Sequence, residues 1–226
     1  MSDVFIFKNQ SQFQLAVVEA IVQRIQEKKP GVFRLALSGG STPGLIYELL
    51  SRQNVDWSRV ELYQVDERYV SGESGDSNQK MIEQALLSRL PQPPLKWVYF
   101  DTSLSLDEAL KKYETQLVSR ETPFFDLVLL GIGTDGHTAS LFPETTERQL
   151  GDSLVAHTTA KHQSVRDRLT LTYKAIDGSR EIFFLVSGES KKNMISELQR
   201  NSEMSESYPA ARFFSQQKTT VFFSEV

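Results

Sequence analysis

The chain has 226 residues, with 25 Lys and Arg against 29 Asp and Glu, a formal net charge of −4 and no cysteine. The acidic balance disfavours a general nucleic-acid binder but permits a local basic patch facing a phosphorylated metabolite. The missing cysteines exclude disulfides, thiolate nucleophiles and cysteine metal sites, and fit a cytoplasmic location. No stretch approaches ~20 apolar residues, so no membrane span is expected. The opening Met-Ser-Asp-Val-Phe-Ile-Phe has no basic n-region and only a short apolar run, so no signal peptide is expected either. The length suits one large α/β domain over 1–226, because no Pro/Ser-rich linker or charge run divides it.

In chain order, Val4 to Phe7 reads as a short strand. Ser11 to Lys28 carries Phe13, Leu15, Val18, Val22 and Ile25 at mainly three- and four-residue spacings, an amphipathic helix. Lys29-Pro30-Gly31 ends it, and Val32 to Leu37 is a second strand. That strand runs into Ser38-Gly39-Gly40-Ser41-Thr42-Pro43 and a helix from Pro43 to about Arg52, with Ser41 or Thr42 as its cap. Val60 to Val65 is a strand ending in Asp66-Glu67-Arg68. Ser77 to Leu90 reads as a helix capped by Ser77 or Asn78, and Trp97 to Phe100 as a strand. Ser105-Leu106-Asp107-Glu108 has capping-box spacing and opens a helix to about Ser119.

Leu127 to Leu130 is a short apolar run, expected to be a strand buried on both faces. After Pro143 comes a less regular region, then strands at Leu154–Thr158 and Arg168–Tyr173 and a turn at Asp177-Gly178. Glu181–Val186 is a strand ending in Ser187-Gly188, Ser190–Arg200 a helix, and Thr219–Phe223 the last strand. Strands alternating with helices predict a parallel or mostly parallel sheet with helices on both faces. In such a sheet, four breaks share one edge: Ser38–Gly40, Asp66–Arg68, Gly131–His137 and Ser187-Gly188.

Each break has a chemical and a plain reading. Gly39 and Gly40 allow a ligand close to the backbone, the next helix offers free N–H groups, and Ser41 and Thr42 add hydroxyls; this is a phosphate cradle or an ordinary strand-to-helix turn. It is neither a P-loop nor a dinucleotide fingerprint, so no nucleotide is implied. Arg68 is placed to meet an anion or a developing oxyanion, or else a solvated strand end. Asp135-Gly136 is a turn signal followed by His137, a candidate general base beside a carboxylate, or a turn Asp with a structural His. His157 and His162 are given no role. Neither a metal site nor a Ser140 nucleophile is supported, since there is no His-x-x-x-His, no Cys and no Gly-x-Ser-x-Gly elbow. Arg166, Arg168 and Lys191 are basic residues that become phosphate ligands only if folding brings them to the common edge.

Taken together, Ser-Gly-Gly-Ser-Thr-Pro, Asp-Glu-Arg, Gly-Ile-Gly-Thr-Asp-Gly-His-Thr-Ala-Ser-Leu-Phe-Pro and Arg-Leu-Thr-Leu-Thr, in this order, closely resemble the 6-phosphogluconolactonases. The resemblance spans roughly Val32 to Lys192. It implies a Rossmann-like α/β fold shared with the sugar-phosphate isomerases. It also implies hydrolysis of 6-phospho-D-glucono-1,5-lactone in the oxidative pentose phosphate pathway, without metal or organic cofactor. By position it makes His137 the acid/base residue, with Asp135 and Arg68 beside it. Gly39, Gly40, Ser41 and Thr42 become the substrate-binding loop, and Arg168 and Lys191 approach the phosphate. The family's proline-rich lead into the Arg-x-Thr run is replaced by Lys161-His162-Gln163-Ser164-Val165-Arg166-Asp167, which leaves Arg166 and Arg168 as rival phosphate contacts. The expected partner is the small-molecule substrate alone, with no nucleic acid and no membrane, for a monomer or small homo-oligomer. Two alternatives are an amino-sugar-phosphate deaminase/isomerase, which typically reads Ile-Ala-Phe-Asn-Glu-Pro after Asp-Gly-His, and a non-catalytic sugar-phosphate sensor.

Overall fold

A computed structural model describes residues 2–117, 122–200, 208–214 and 216–226. The elements in chain order are β1 (Asp3–Phe7), α1 (Gln10–Glu27), β2 (Phe33–Leu37), α2 (Ser41–Leu50), β3 (Val60–Gln64), β4 (Asp66–Arg68) and α3 (Asn78–Ala85). They continue with β5 (Lys96–Val98), α4 (Leu106–Glu114), β6 (Leu127–Leu130), α5 (Glu147–Leu150), β7 (Val155–Thr159) and β8 (Asp167–Leu171). The last are α6 (Tyr173–Asp177), β9 (Glu181–Ser187), α7 (Lys192–Arg200), α8 (Pro209–Phe214) and β10 (Thr219–Ser224).

Among the described residues seven strands form a wholly parallel sheet in the order β1-β10-β9-β6-β2-β3-β5. Successive side chains on a strand point to opposite faces, and here both faces are apolar. Leu35, Leu37, Leu127, Leu129, Phe183 and Leu185 pack on one face with Phe13, Val17, Val18, Ile21 and Ile25 of α1, and with residues of α2 and α3. Ala36, Val128, Leu130, Ile182, Phe184 and Val186 pack on the other with α4, α6, α7 and α8. Leu15 of α1 faces outward instead. Along the chain, β2, β3 and β5 build outward in one direction and β6, β9 and β10 in the other, where β1, the first strand, holds the edge. The reversal falls between β2 and β6, a switch point whose crevice lies outside the strands' carboxyl ends.

A second, three-stranded antiparallel sheet, β4-β8-β7, departs from the expected reading. Asp66-Glu67-Arg68 is not the frayed end of β3 but a strand of its own. Val65 lets the chain turn from one sheet into the other: its N–H bonds Leu37 O and its carbonyl accepts from Leu171 N. Leu169, Leu171 and Val155 of the small sheet enter the same core as Leu130 and Val186.

Other boundaries differ for local reasons. The cap of α2 is Gly40, so Ser41 and Thr42 lie in its first turn and Pro43 is its third residue. Ser77, not Asn78, caps α3 by accepting from Lys80 N at 3.2 Å, and the helix breaks at Leu86 into a 3₁₀ turn at Leu87–Arg89. The capping box of α4 is present, but the helix ends at Glu114; Ser119 lies outside the described residues. A 3₁₀ turn at Glu189–Lys191 precedes α7. The short helices α5, α6 and α8 are too brief to carry a periodic signal.

Candidate functional site

At the switch point the carboxyl end of β2 gives Ser38-Gly39-Gly40 and that of β6 gives Gly131-Ile132-Gly133. The Ser38 hydroxyl bridges the two strands by donating to Leu129 O at 2.7 Å, so it serves the scaffold. Above this edge lies a pocket of about 200 Å³. Gly39, Gly40, Arg68, His137 and Arg168 line it, with Asp66, Asn78, Ser140, Phe142 and Gln163. Arg68, His137 and Arg168 thus come from three separate segments, β4, the turn after β6, and β8.

His137 is fixed on several sides. Its Nδ1 lies 2.5 Å from Asp135 Oδ1, and its backbone N–H bonds the same oxygen at 3.2 Å. The Phe142 ring packs on it at 5.0 Å between centroids. Its carbonyl accepts from Gly133 N at 2.8 Å. With Nδ1 held by the carboxylate, Nε2 is the nitrogen left for the pocket, the arrangement that fixes a general base's tautomer. Partial burial would raise the Asp135 carboxyl, but the charge and hydrogen bonds of His137 outweigh it and hold the group below its ordinary value.

The following turn holds a strained residue, Ala139, at φ 52°. Its neighbours over-determine it. Thr138 Oγ1 donates to Gly131 O at 2.8 Å. Ser140 donates its hydroxyl to Asp66 Oδ2 at 2.7 Å, its N–H to Thr170 Oγ1 at 3.1 Å, and accepts at its carbonyl from Thr158 Oγ1 at 2.6 Å. Ser140 therefore ties the β6 turn to all three strands of the small sheet, and its buried, engaged hydroxyl gives no support to a nucleophile reading.

Arg68 and Arg168 face the pocket from opposed positions on β4 and β8. Arg168 is buried, donates from Nη2 to Gln163 Oε1 at 2.5 Å, and has a buried Nε without a hydrogen-bond partner. Burial and the nearby Arg68 both push its pKa down. Arg166 is exposed and does not line the pocket, so of the two rivals only Arg168 reaches it. Lys191 sits beside the site: its Nζ donates to Ile132 O at 2.6 Å, and burial lowers its pKa against the opposing pull of Asp135. Ser41 and Thr42 are not on the pocket wall; Ser41 lines an adjoining groove with Gly40, Arg68 and Asn78. Among the described residues no cluster of three or more His, Asp or Glu could hold a metal ion.

Residues 8–222 match the sequence model of the family described as glucosamine-6-phosphate isomerases/6-phosphogluconolactonase. The chain belongs to that family. It is 36% identical to the 6-phosphogluconolactonase of Thermotoga maritima over 92% of this chain and 91% of that one. It is 37% identical to the 6-phosphogluconolactonase of Synechocystis over 87% and 82%. The crystal structure of the Thermotoga maritima protein superposes with a TM-score of 0.84 over the whole of both chains, at 32% identity. The fold is thus the Rossmann-like, mostly parallel α/β sheet of this family. A monomeric glucosamine-6-phosphate deaminase shares that fold, with a TM-score of 0.86 at 23% identity over 98% of this chain and 97% of that one, so the architecture alone does not separate the family's two reactions.

Sequence reasoning left Asn78 as a mere cap candidate and gave Gln163 no role. Asn78 is a buried pocket residue that bonds both Asp66 and Arg68. The signal for it lay in Gly39: a Cβ there would come within 1.8 Å of Asn78 Oδ1, so the second glycine-loop position is small because another chain segment fills the space.

Proposed function

We propose that the protein hydrolyses 6-phospho-D-glucono-1,5-lactone to 6-phospho-D-gluconate, the lactone-opening step of the oxidative pentose phosphate pathway. The reading is carried by His137, bonded to Asp135 behind it, standing in one pocket wall with Arg68 and Arg168. Neutral His137 takes, at Nε2, a proton from a water whose oxygen bonds the lactone C1. The carbonyl electrons move onto the oxygen, and Arg68 holds the resulting oxyanion. Collapse restores the carbonyl and breaks the bond from C1 to the ring oxygen. The imidazolium returns its proton to that oxygen, which becomes the C5 hydroxyl. The product acid then ionises, releasing one proton to solvent. No step draws on a metal or organic cofactor.

Arg168, Gly39 and Gly40 on the pocket wall, with Lys191 beside it and Ser41 and Thr42 in the first turn of α2, are the groups we assign to the phosphate, which is not part of the breaking bond, so that binding energy fixes the ring against His137. Asp135 orients the imidazole and stabilises its charged form. The names borne by the relatives, and the Thr138-Ala139-Ser140-Leu141-Phe142-Pro143 run in place of Ile-Ala-Phe-Asn-Glu-Pro, favour the lactonase over the deaminase. We take the chain to work as one domain over 1–226, in the cytoplasm, as a monomer or small homo-oligomer. Among the described residues no helix is long and apolar enough to cross a membrane.

The test is proton release from freshly generated 6-phosphogluconolactone, read against spontaneous hydrolysis. Wild type should far exceed background, and His137→Ala should lose ~100- to 10,000-fold, the usual contribution of a general acid–base group. Wild-type release at the background rate, with turnover of glucosamine 6-phosphate instead, would replace this reading with the deaminase.

A further inference from the structure

Glu67 is buried, lies in β4 between Asp66 and Arg68, and takes no part in the chemistry proposed above. Its carboxylate accepts five hydrogen bonds. Oε1 takes Arg68 N and Asn78 N at 2.7 Å each; Oε2 takes Gln64 Nε2 and Gln79 N at 2.7 Å and Ser77 Oγ at 3.1 Å. Among the described residues no cation pairs with it directly. Burial raises its pKa, against the pull of those donors. One carboxylate therefore holds both β4 and the first turn of α3.

Asn78 is the first residue of that turn. Its Oδ1 accepts from Arg68 Nη1 at 2.6 Å, and its Nδ2 donates to Asp66 O at 2.9 Å. Both ends of the carboxamide are used, so its orientation is set. Arg68 Nη1 also donates to Asp76 O at 3.0 Å, in the loop that leads into α3. Among the described residues its Nε and Nη2 carry no hydrogen bond, which leaves one edge of the guanidinium for a ligand.

We infer that Glu67 and Asn78 form a positioning pair for the Arg68 guanidinium: Glu67 anchors Asn78, and Asn78 fixes Nη1 so that the opposite edge faces the pocket. Glu67 does not line the pocket, and Asn78, which does, has both ends of its carboxamide engaged by Arg68 and Asp66. Arg68 is a long, rotamer-rich side chain, and holding it in advance removes the entropy of ordering it at the transition state. The pair sits where a misplacement of about 1 Å is worth ~100-fold in rate. The inference rests on the oxyanion role proposed for Arg68.

A double-mutant cycle tests it. Asn78→Ala should lower kcat by ~10- to 100-fold with KM for the lactone changed by less than about threefold. Asn78→Asp, which keeps an acceptor opposite Nη1, should recover much of that loss. In an Arg68→Ala background, Asn78→Ala should cost less than about twofold, because the group it positions is gone. A merely structural Asn78 would give the same loss in both backgrounds, and that additivity would overturn the inference. Glu67→Gln, which puts an amide donor among donors, should repeat the kcat-selective loss in soluble, folded protein; normal kcat would overturn the anchoring role. If Arg68→Ala alone left kcat intact while His137→Ala abolished activity, Arg68's role and this inference would both fall, and the lactonase reading would stand.

Discussion

Arg68 and Arg168 are directly opposed Cα partners in the antiparallel ladder of β4 and β8. Like charges facing each other across strands are destabilising. Here the carboxylates of Asp66 and Glu67 lie nearby and attract Arg168, yet its Nε remains buried without a partner. With Arg68 assigned to the oxyanion, the Arg168 Nε, without a partner among the described residues, is a donor left for the phosphate.

Inorganic phosphate should therefore raise the melting temperature of the wild type, in a salt-sensitive way. Arg168→Gln should blunt that response. A hydrogen bond to a charged group is worth ~1.5–3 kcal/mol, so the variant's KM for the phosphorylated lactone should rise by roughly 10- to 100-fold. Turnover at saturation should change far less, because the phosphate is remote from C1. Loss confined to kcat would argue that Arg168 meets the reacting carbonyl instead.

Asp135→Asn separates orientation from charge. The amide keeps the size of the side chain but loses the carboxylate that fixes Nδ1, so kcat should fall by ~10- to 1,000-fold with the fold intact. The native Asp135 carboxyl lies below its ordinary value because His137 attracts it. A depressed carboxyl contributes stability that is present above its unfolded pKa and is lost as pH falls through the folded one. The stability gap between wild type and Asp135→Asn should thus be present at neutral pH, close as the pH drops below the ordinary carboxylate range, and shrink in high salt, since the pair is partly exposed. A gap that persisted undiminished well below the ordinary carboxylate range would contradict this account.

Ser105→Ala supplies a contrast far from the pocket. Ser105 caps α4 by accepting from Glu108 N at 3.4 Å, while Glu108 Oε2 accepts from Ser105 N at 3.1 Å. Losing a cap of this kind costs about 1 kcal/mol. Urea unfolding should shift by that amount with kcat and KM unchanged.

The strands that carry the site were legible because their physics is local. Leu127–Leu130 and Glu181–Val186 are apolar runs ended by glycines, and the common edge follows once they are parallel. The residues of the second sheet read as strands too, but nothing in Asp66-Glu67-Arg68 announces that it leaves β3 to pair with β8. A three-residue charged strand has no alternation to detect, and its partner lies about 100 residues away in sequence. Asn78 was hidden for a related reason: its cap-like position before a helix has a sufficient local explanation, and its bonds to Asp66 and Arg68 exist only in the folded chain. The choice between Arg166 and Arg168 was a matter of burial: Arg168 lies inside β8 opposite Arg68, whereas Arg166 precedes the strand and is exposed, a boundary that a loop of unknown shape obscured.

Gly133 makes the sharpest structural prediction. The β6 turn folds back so tightly that a Cβ on Gly133 would lie 2.1 Å from both Cε1 and Nδ1 of His137, and 2.6 Å from Asp135 Oδ1. No rotamer adjustment at position 133 relieves this, because alanine has none. The imidazole must swing away from Asp135, and both partners lose their hydrogen bond. Gly133→Ala should then behave as a displaced His137: kcat down by about 100-fold or more, with only modest loss of stability, since the ring is partly exposed and free to move. The diagnostic measurement is the NMR signal of His137 Nδ1, which should lose the signature of its carboxylate partner in Gly133→Ala and in Asp135→Asn alike. Retained turnover together with an unshifted His137 resonance would show that the turn relaxes, and that the tight approach of Gly133 to the imidazole is not what holds the base in place.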